Sequence, residues 1–367
     1  MSNLKYRIIR LAMEIFALPG VARSIRSFSS CRGVIFTMHR VLPDAPAAFS
    51  PNSILQITPQ FLERVILTCR ERNVDIVDLD EALRRLKSCD KENQFAVFTL
   101  DDGYKDNLQF ALPILRKYGC PFTLFIAPNL IDAKAEIWWQ ALEDIVREND
   151  SLEFDLGQGP EYRETSTLHS KTQTFDELYW FMREKPEIDR LKLLHALAKR
   201  YSFDLYAHCR DLIMDWEELR TFVDEPLCTI GAHTMNHYEL NKLPADEMRE
   251  EIGKSINSLA EKTGIEPTHF SYPIGGRLSA GPREFAAVKD LGFASAVTTR
   301  PGGLYKENAE HTEALPRVSL NGHYQKSRFI DVFLTGAIFT SHSGGKKVNL
   351  DQVAIRPAVP TSNGLPK

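Results

Sequence analysis

Between residues 94 and 126 the chain reads Gln94-Phe-Ala-Val-Phe-Thr-Leu100, then Asp101-Asp102-Gly103, then an amphipathic stretch from Leu108 to Tyr118, then Pro121-Phe-Thr-Leu-Phe-Ile126. A short apolar run, a helix-length stretch and a second apolar run make a strand, a helix and a strand, the repeating unit of a parallel sheet. The same rhythm extends to both sides. Upstream lie Gly33-Val-Ile-Phe-Thr-Met-His39, a helical stretch from Gln60 to Arg70, the run Val74 to Val77 and a helical stretch from Leu79 to Lys87. Downstream lie Cys228 to Ala232, a helix from Ala245 to Thr263, the run His269 to Tyr272, a helix from Pro282 to Leu291 and the run Ala294 to Thr298. The pattern predicts an α/β fold with six or seven parallel strands, in which functional groups gather at the carboxyl ends of the strands.

Between these halves, over residues 134–226, helix formers dominate in Trp138 to Arg147, Thr174 to Arg183, Ile188 to Arg200 and Ala207 to Val223, which predicts an inserted helical lobe. Within it, Gly157 to Ser170 is polar and without period and reads as a loop. Residues 344–367 are rich in proline and glycine and poor in apolar side chains, and read as a disordered tail behind a main domain of residues 33–343.

Residues 1–32 differ from the rest. Lys5, Arg7, Arg10, Arg23, Arg26 and Arg32 stand against Glu14 alone, a local charge of +5 in a chain whose formal net charge is −4. Leu4, Ile8, Leu11, Ile15 and Leu18 step by four and three and form one helical stripe that Pro19-Gly20 ends. Arg10 and Glu14 interrupt the run, so it is neither a membrane span nor a clean secretory signal. Two readings follow: a basic amphipathic helix in peripheral contact with an anionic membrane, or a helix packed on its own domain.

Across all 367 residues, 43% hydrophobic and 26% charged side chains exclude a collagen, a low-complexity chain and a small disulfide scaffold. The mild net negative charge argues against a nucleic-acid partner, which would need clustered Lys and Arg. Cys31, Cys69, Cys89, Cys120, Cys209 and Cys228 form no C-x-x-C pair, which fits free thiols in a reducing compartment and a cytoplasmic location, either free or on the inner membrane face.

Three strand ends carry polar residues that packing does not call for. In Val97-Phe-Thr-Leu-Asp101-Asp102-Gly103, the glycine lets the chain turn and bring both carboxylates into one mouth, although Asp-Asp-Gly by itself also suits an ordinary turn. In Ile230-Gly-Ala-His233-Thr-Met-Asn-His237, histidines four apart share a face if a helical turn starts there, and both can then reach one divalent ion. Thr234 stands where a zinc peptidase places its glutamate, so the base must come from elsewhere, and Asp101 and Asp102 can supply it. Phe270-Ser-Tyr272-Pro273-Ile274-Gly-Gly276 ends a strand in a rigid turn with backbone N–H groups free to face a ligand.

In this order, Thr99-Leu-Asp-Asp-Gly103, His233-Thr-x-x-His237 and Tyr272-Pro-x-Gly275 resemble the polysaccharide deacetylase family, carbohydrate esterases related to the nodulation chitooligosaccharide deacetylases. Tyr118-Gly-Cys-Pro-Phe-Thr-Leu-Phe125, Asp290-Leu-Gly-Phe293 and Leu315-Pro-Arg317 add to the likeness, which covers about residues 33–130 and 227–320. It implies a distorted (β/α)7-type barrel and one divalent metal on Asp102, His233 and His237, zinc first, with Co, Ni or Mn as alternatives. It further implies that Asp101 is the base and that a backbone N–H, that of Ile274 after Tyr272 and Pro273, stabilises the oxyanion. Expulsion of an amine needs a general acid. The strand Val34 to Met38 ending in His39 resembles that of permuted family members, so His39 is taken as the acid in preference to His323. Family members commonly open the third motif with an arginine that holds the aspartate. Here that position is Ser271, and Arg317 or Arg277 could replace the arginine in space. Tyr104, Trp138 and Trp139 are candidates to stack on sugar rings, and Arg317 to line the substrate site.

The resemblance implies a metal-dependent hydrolase that removes N-acetyl groups from N-acetylglucosamine-type units of an oligosaccharide or surface-glycan precursor. A deformylase of lipid-linked amino sugars would use the same residues, and a catalytically silent membrane-associated glycan-binding protein is the alternative of another class. Sequence leaves the oligomeric state open.

Overall fold

The computed structural model describes residues 3–18, 20–89, 93–336, 339 and 346–352. Seven parallel strands form a closed barrel: β1 (Gly33–Met38), β2 (Phe95–Asp101), β3 (Phe122–Ile126), β4 (Cys228–Ala232), β5 (His269–Ser271), β6 (Ser295–Pro301) and β7 (Leu315–Ser319). Six neighbours pair in chain order from β2 to β7, with β7 against β1 through Phe36 and Val318. The long register of β1 on β2, Gly33 with Phe95 through Met38 with Leu100, closes the ring. The run at Val74 gives only Asp75–Ile76, a short strand against the lower end of β2.

Every residue of β1 and β2 is buried, because one face of each strand looks into the barrel and the other meets helices. Alternation sorts them. Ile35, Val97, Phe125, Val297 and Leu315 form an interior cluster plugged from below by the helix Leu79–Lys87, which Asp78 caps. Val34, Phe36, Met38, Ala96, Phe98 and Leu100 belong to the larger cluster under the surrounding helices. Two residues further along the inward rows the interior turns polar, at Thr37, Thr99, Asp101 and Arg317, all buried. Strand parity therefore sends Asp101 and Arg317 toward the barrel axis at its carboxyl end.

Residues 134–226 carry the helices Trp138–Glu148, Leu168–Glu184, Glu187–Arg200, Leu205–Leu212 and Trp216–Val223. Two expectations need correction there. The polar stretch read as a loop holds half of an antiparallel hairpin, Ser151–Asp155 with Pro160–Glu164, and then a helix start capped by Thr167. Its register is carried by Leu152 and Phe154, whose alternation is too short to stand out in sequence. The stretch Ala207 to Val223 is two helices, since Asp215 starts a new one with a capping box to Glu218. Of the expected tail, residues 346–352 lie on the barrel, where Arg300 donates to the Asn349 carbonyl and Leu350 packs on the core. Residues 344, 345 and 353–367 of that expectation fall outside the described residues.

The leading segment folds as two helices, Asn3–Phe16 and Val21–Phe28. Among the described residues no helix is long and apolar enough to cross a membrane.

Candidate active site

The three polar strand ends meet in one cavity of about 250 Å³ at the carboxyl end of the barrel, lined by His39, Asp101, Asp102, His233, His237 and Ile274. Asp101 is the last residue of β2 and points inward. Asp102 adopts φ 75°, and Gly103 follows at φ 80°, so the chain reverses there and puts both carboxylates into the same mouth. A Cβ on Gly103 would come within 2.9 Å of Ile126, so only glycine fits.

His233 and His237 do not share a helical turn, contrary to expectation; the segment after β4 is an irregular loop. Thr234 at φ 60° and His237 at φ 58° provide the bends that bring the two rings together, their centroids 4.8 Å apart. The helix Ala245–Thr263 braces the loop, with Met235 donating to the Glu251 carbonyl and Asn236 to its carboxylate. Including Ile274 at φ 62°, four of the seven non-glycine residues with positive φ among the described residues sit at this one site. Such conformations cost free energy and persist where the surrounding structure holds them, commonly at functional sites.

Ligand atoms of Asp102, His233 and His237 all lie within 4.8 Å of one another, and the three residues are buried. The Nε2 atoms of His233 and His237 stand 3.4 and 3.3 Å from Asp102 Oδ1. His233 Nδ1 donates to the Ser271 carbonyl at 2.6 Å, which fixes the tautomer and leaves Nε2 with its lone pair toward the cavity. Burial holds His237 below the ordinary imidazole value. Burial opposes the charge on Asp102, but the two imidazoles outweigh it and keep the carboxyl well below its usual range. Asp102 Oδ1 is buried and accepts no hydrogen bond. One carboxylate, two imidazoles and an unsatisfied carboxylate oxygen beside them fit a divalent cation.

Arg317 answers the question of the missing arginine. It is buried, and its guanidinium donates to both oxygens of Asp101, at 2.8 and 2.7 Å. Thr99 Oγ1, Ser271 Oγ and the Thr298 carbonyl accept its remaining bonds at 3.1, 3.0 and 2.9 Å. Burial would raise the Asp101 carboxyl, but the charge and hydrogen bonds of Arg317 win and hold it below its usual value. Arg317 thus sits behind Asp101, not in contact with the cavity, which corrects its assignment to the substrate wall. Arg277 is exposed. His39 continues the inward row of β1 and places Nε2 3.9 Å from Asp101 Oδ2, whereas His323 is exposed and lies outside the cavity lining.

Three further assignments change. Tyr104 is fully buried under the Arg40 guanidinium, and its hydroxyl accepts from Trp139 Nε1 at 3.1 Å, so no face is open to a sugar. Tyr272 packs between Phe270 and Phe285 and donates to the Glu313 carbonyl, and Pro273 is buried beside it. Of that motif, only Ile274 reaches the cavity. Trp138 and Trp139 do line it, joined by Tyr179 and Arg183 from the next lobe helix and by Asn52, Ile54 and Leu55. None of the last five was marked in the sequence. Tyr179, stacked on Trp138 at 5.2 Å, and Arg183 are four apart on a helix, a signal shared by countless surface helices.

The chain matches the family profile described as polysaccharide deacetylase over residues 89–154 and 171–295, just over half its length, and belongs to that family. YxkH of Bacillus subtilis (strain 168) is 29% identical over 233 residues, 64% of this chain and 54% of that protein, so the chain spans about half the length of this curated relative. The fold is shared with a de-N-acetylase from Aggregatibacter actinomycetemcomitans (TM-score 0.52, 13% identity, 82% of this chain and 99% of that one). It is also shared with IcaB from Ammonifex degensii (TM-score 0.51, 17% identity, 82% and 97% covered).

Proposed function

We propose that this protein is an N-deacetylase that hydrolyses the acetamide of N-acetylglucosamine-type units in an oligosaccharide or surface-glycan precursor. The observation that carries the proposal is the juxtaposition in one cavity of a complete Asp102, His233, His237 group with a separate, Arg317-clamped carboxylate on Asp101. A binding module has no use for that combination.

Asp102, His233 and His237 would hold one divalent ion, zinc first for two imidazoles and one carboxylate, with Co, Ni or Mn as alternatives. When bound, it supplies Lewis acidity toward the amide oxygen and water. Asp101, kept ionised by Arg317, takes the proton of the attacking water. The Ile274 N–H, at the cavity, would stabilise the oxyanion that develops as the acyl carbon becomes tetrahedral. His39 gives a proton to the departing amine nitrogen, which leaves as a neutral amine rather than an amide anion. Trp138 and Trp139 offer the apolar wall on which a sugar ring would rest.

The test is mass spectrometry of the acid released from a panel of acylated amino-sugar glycans by protein loaded with a defined metal. Acetate from N-acetylglucosamine oligomers supports the proposal; formate alone moves the activity to deformylation; no acid from any member refutes it.

A further inference from the structure

The two helices ahead of the barrel carry more apolar surface than their packing uses. Met13 and Ala22 are buried, and Phe16 and Ala17 lean on the core, seating the pair against the helix Ser327–Leu334. Leu11, Ile15 and Leu18, spaced four and three apart on one face, remain 62%, 53% and 54% exposed, and Phe28 at the end of the second helix is 91% exposed. A row of large aliphatic side chains left in water is uncommon on a soluble surface and marks an interaction face.

Charge selects the occupant. Glu14, the one acid of residues 1–32, is bound by Lys326 at 2.6 Å and Arg328 at 2.5 Å and leaves no free negative charge. Arg26 and Arg32 are spent on backbone carbonyls, the former on Arg72 and the latter on Arg85, Leu86 and Ser88. Arg10 is exposed next to Leu11, and Lys5 and Arg7 belong to the same helix. An apolar stripe in a basic segment without a free acid complements an anionic bilayer interface. The same end of the molecule holds the cavity mouth. Lys326 lies in the segment after β7 whose Gly322 donates to the Ile54 carbonyl and whose Gln325 accepts from Thr58, and Ile54 and Leu55 line the cavity.

We propose that the Leu11, Ile15 and Leu18 face docks this protein on an anionic lipid surface with the cavity mouth at the rim of the contact. On the deacetylase reading above, on which this clause rests, the glycan it takes is one held at that surface.

The test is co-sedimentation of the full chain with phosphatidylcholine vesicles, with and without phosphatidylglycerol, beside turnover of a soluble acylated oligosaccharide. The chain should bind only the anionic vesicles, and added salt should release it. Leu11→Gln/Ile15→Gln/Leu18→Gln should lower binding by roughly tenfold or more and Arg10→Gln by about fivefold, with soluble turnover unchanged. Should the triple variant fail to fold, Leu11→Gln alone carries the comparison. Turnover without binding to anionic vesicles overturns the docking. So does a concentration-dependent dimer that the triple variant abolishes, which would make a second copy the occupant. Vesicle binding without release of any acid leaves the docking standing and refutes the deacetylase reading alone.

Discussion

Replacing Arg317 by alanine isolates the feature that most distinguishes this site. Arg317 and Asp101 are both buried, and the guanidinium supplies two hydrogen bonds and the only full positive charge in contact with that carboxylate among the described residues. Removing one partner of a buried pair costs about 3–5 kcal/mol, because the other charge is left uncompensated. At ~2.1 cal/mol/K per residue, that predicts a melting point lower by roughly 5 °C for a chain of this size. The chemistry should suffer more. In the parent the Asp101 carboxyl lies below its usual value because Arg317 outweighs burial; without Arg317, burial is opposed only by the smaller effects of His233 and His39, and the value rises. A base must be ionised to act, so the acidic limb of the kcat/KM profile should move to higher pH, and turnover at neutral pH should fall by roughly 10² or more. Metal content should stay near that of the parent, since Arg317 touches none of Asp102, His233 or His237. The decisive comparison is the exchange Arg317→Ser/Ser271→Arg. Ser271 Oγ lies 3.0 Å from the guanidinium and 3.5 Å from Asp101 Oδ2, so an arginine from that strand can reach the same carboxylate. The exchange should recover part of the lost rate and return the acidic limb toward its original position. An Arg317→Ala enzyme with an unshifted limb and turnover within a few-fold of the parent would refute the clamp.

Elemental analysis should find about one divalent ion per parent chain, and His233→Ala, His237→Ala or Asp102→Ala should each abolish it, because an open three-ligand site cannot spare a ligand. His39→Ala should keep metal and fold but lower kcat by roughly 10² or more, while exposed His323→Ala stays near the parent; the reverse outcome moves the acid to the late segment. Steady-state kinetics should show a raised KM for Trp138→Ala, whereas Tyr104→Phe, which retains the buried ring and loses only the contact to Trp139, should leave KM nearly unchanged.

What the sequence determined by itself was the local rhythm of strands and helices in the barrel. Apolar runs alternating with amphipathic stretches are enough to specify parallel strands and helices, and the helix bounds at Leu79–Lys87 and Ala245–Thr263 agree with the reading to the residue. The residues that gather in the cavity were also legible, because a strand end has no packing reason to carry Asp101, Asp102, His233 or His237. The hairpin Ser151–Asp155 with Pro160–Glu164 was not, since its pairing depends on partners rather than on a long alternation of its own. Tertiary structure alone decided which groups face one another. The His233 to His237 loop takes its shape from left-handed bends and the brace of Glu251, not from helical spacing. The arginine that holds Asp101 arrives on β7, 216 residues along the chain, because barrel closure makes distant strands neighbours and strand parity then points Arg317 and Asp101 at the same axis. Tyr104 and Arg317 read alike as polar residues near a site. Only packing shows that one is a buried prop and the other the counter-charge of Asp101, since a side chain's surroundings are set by the elements that close over it.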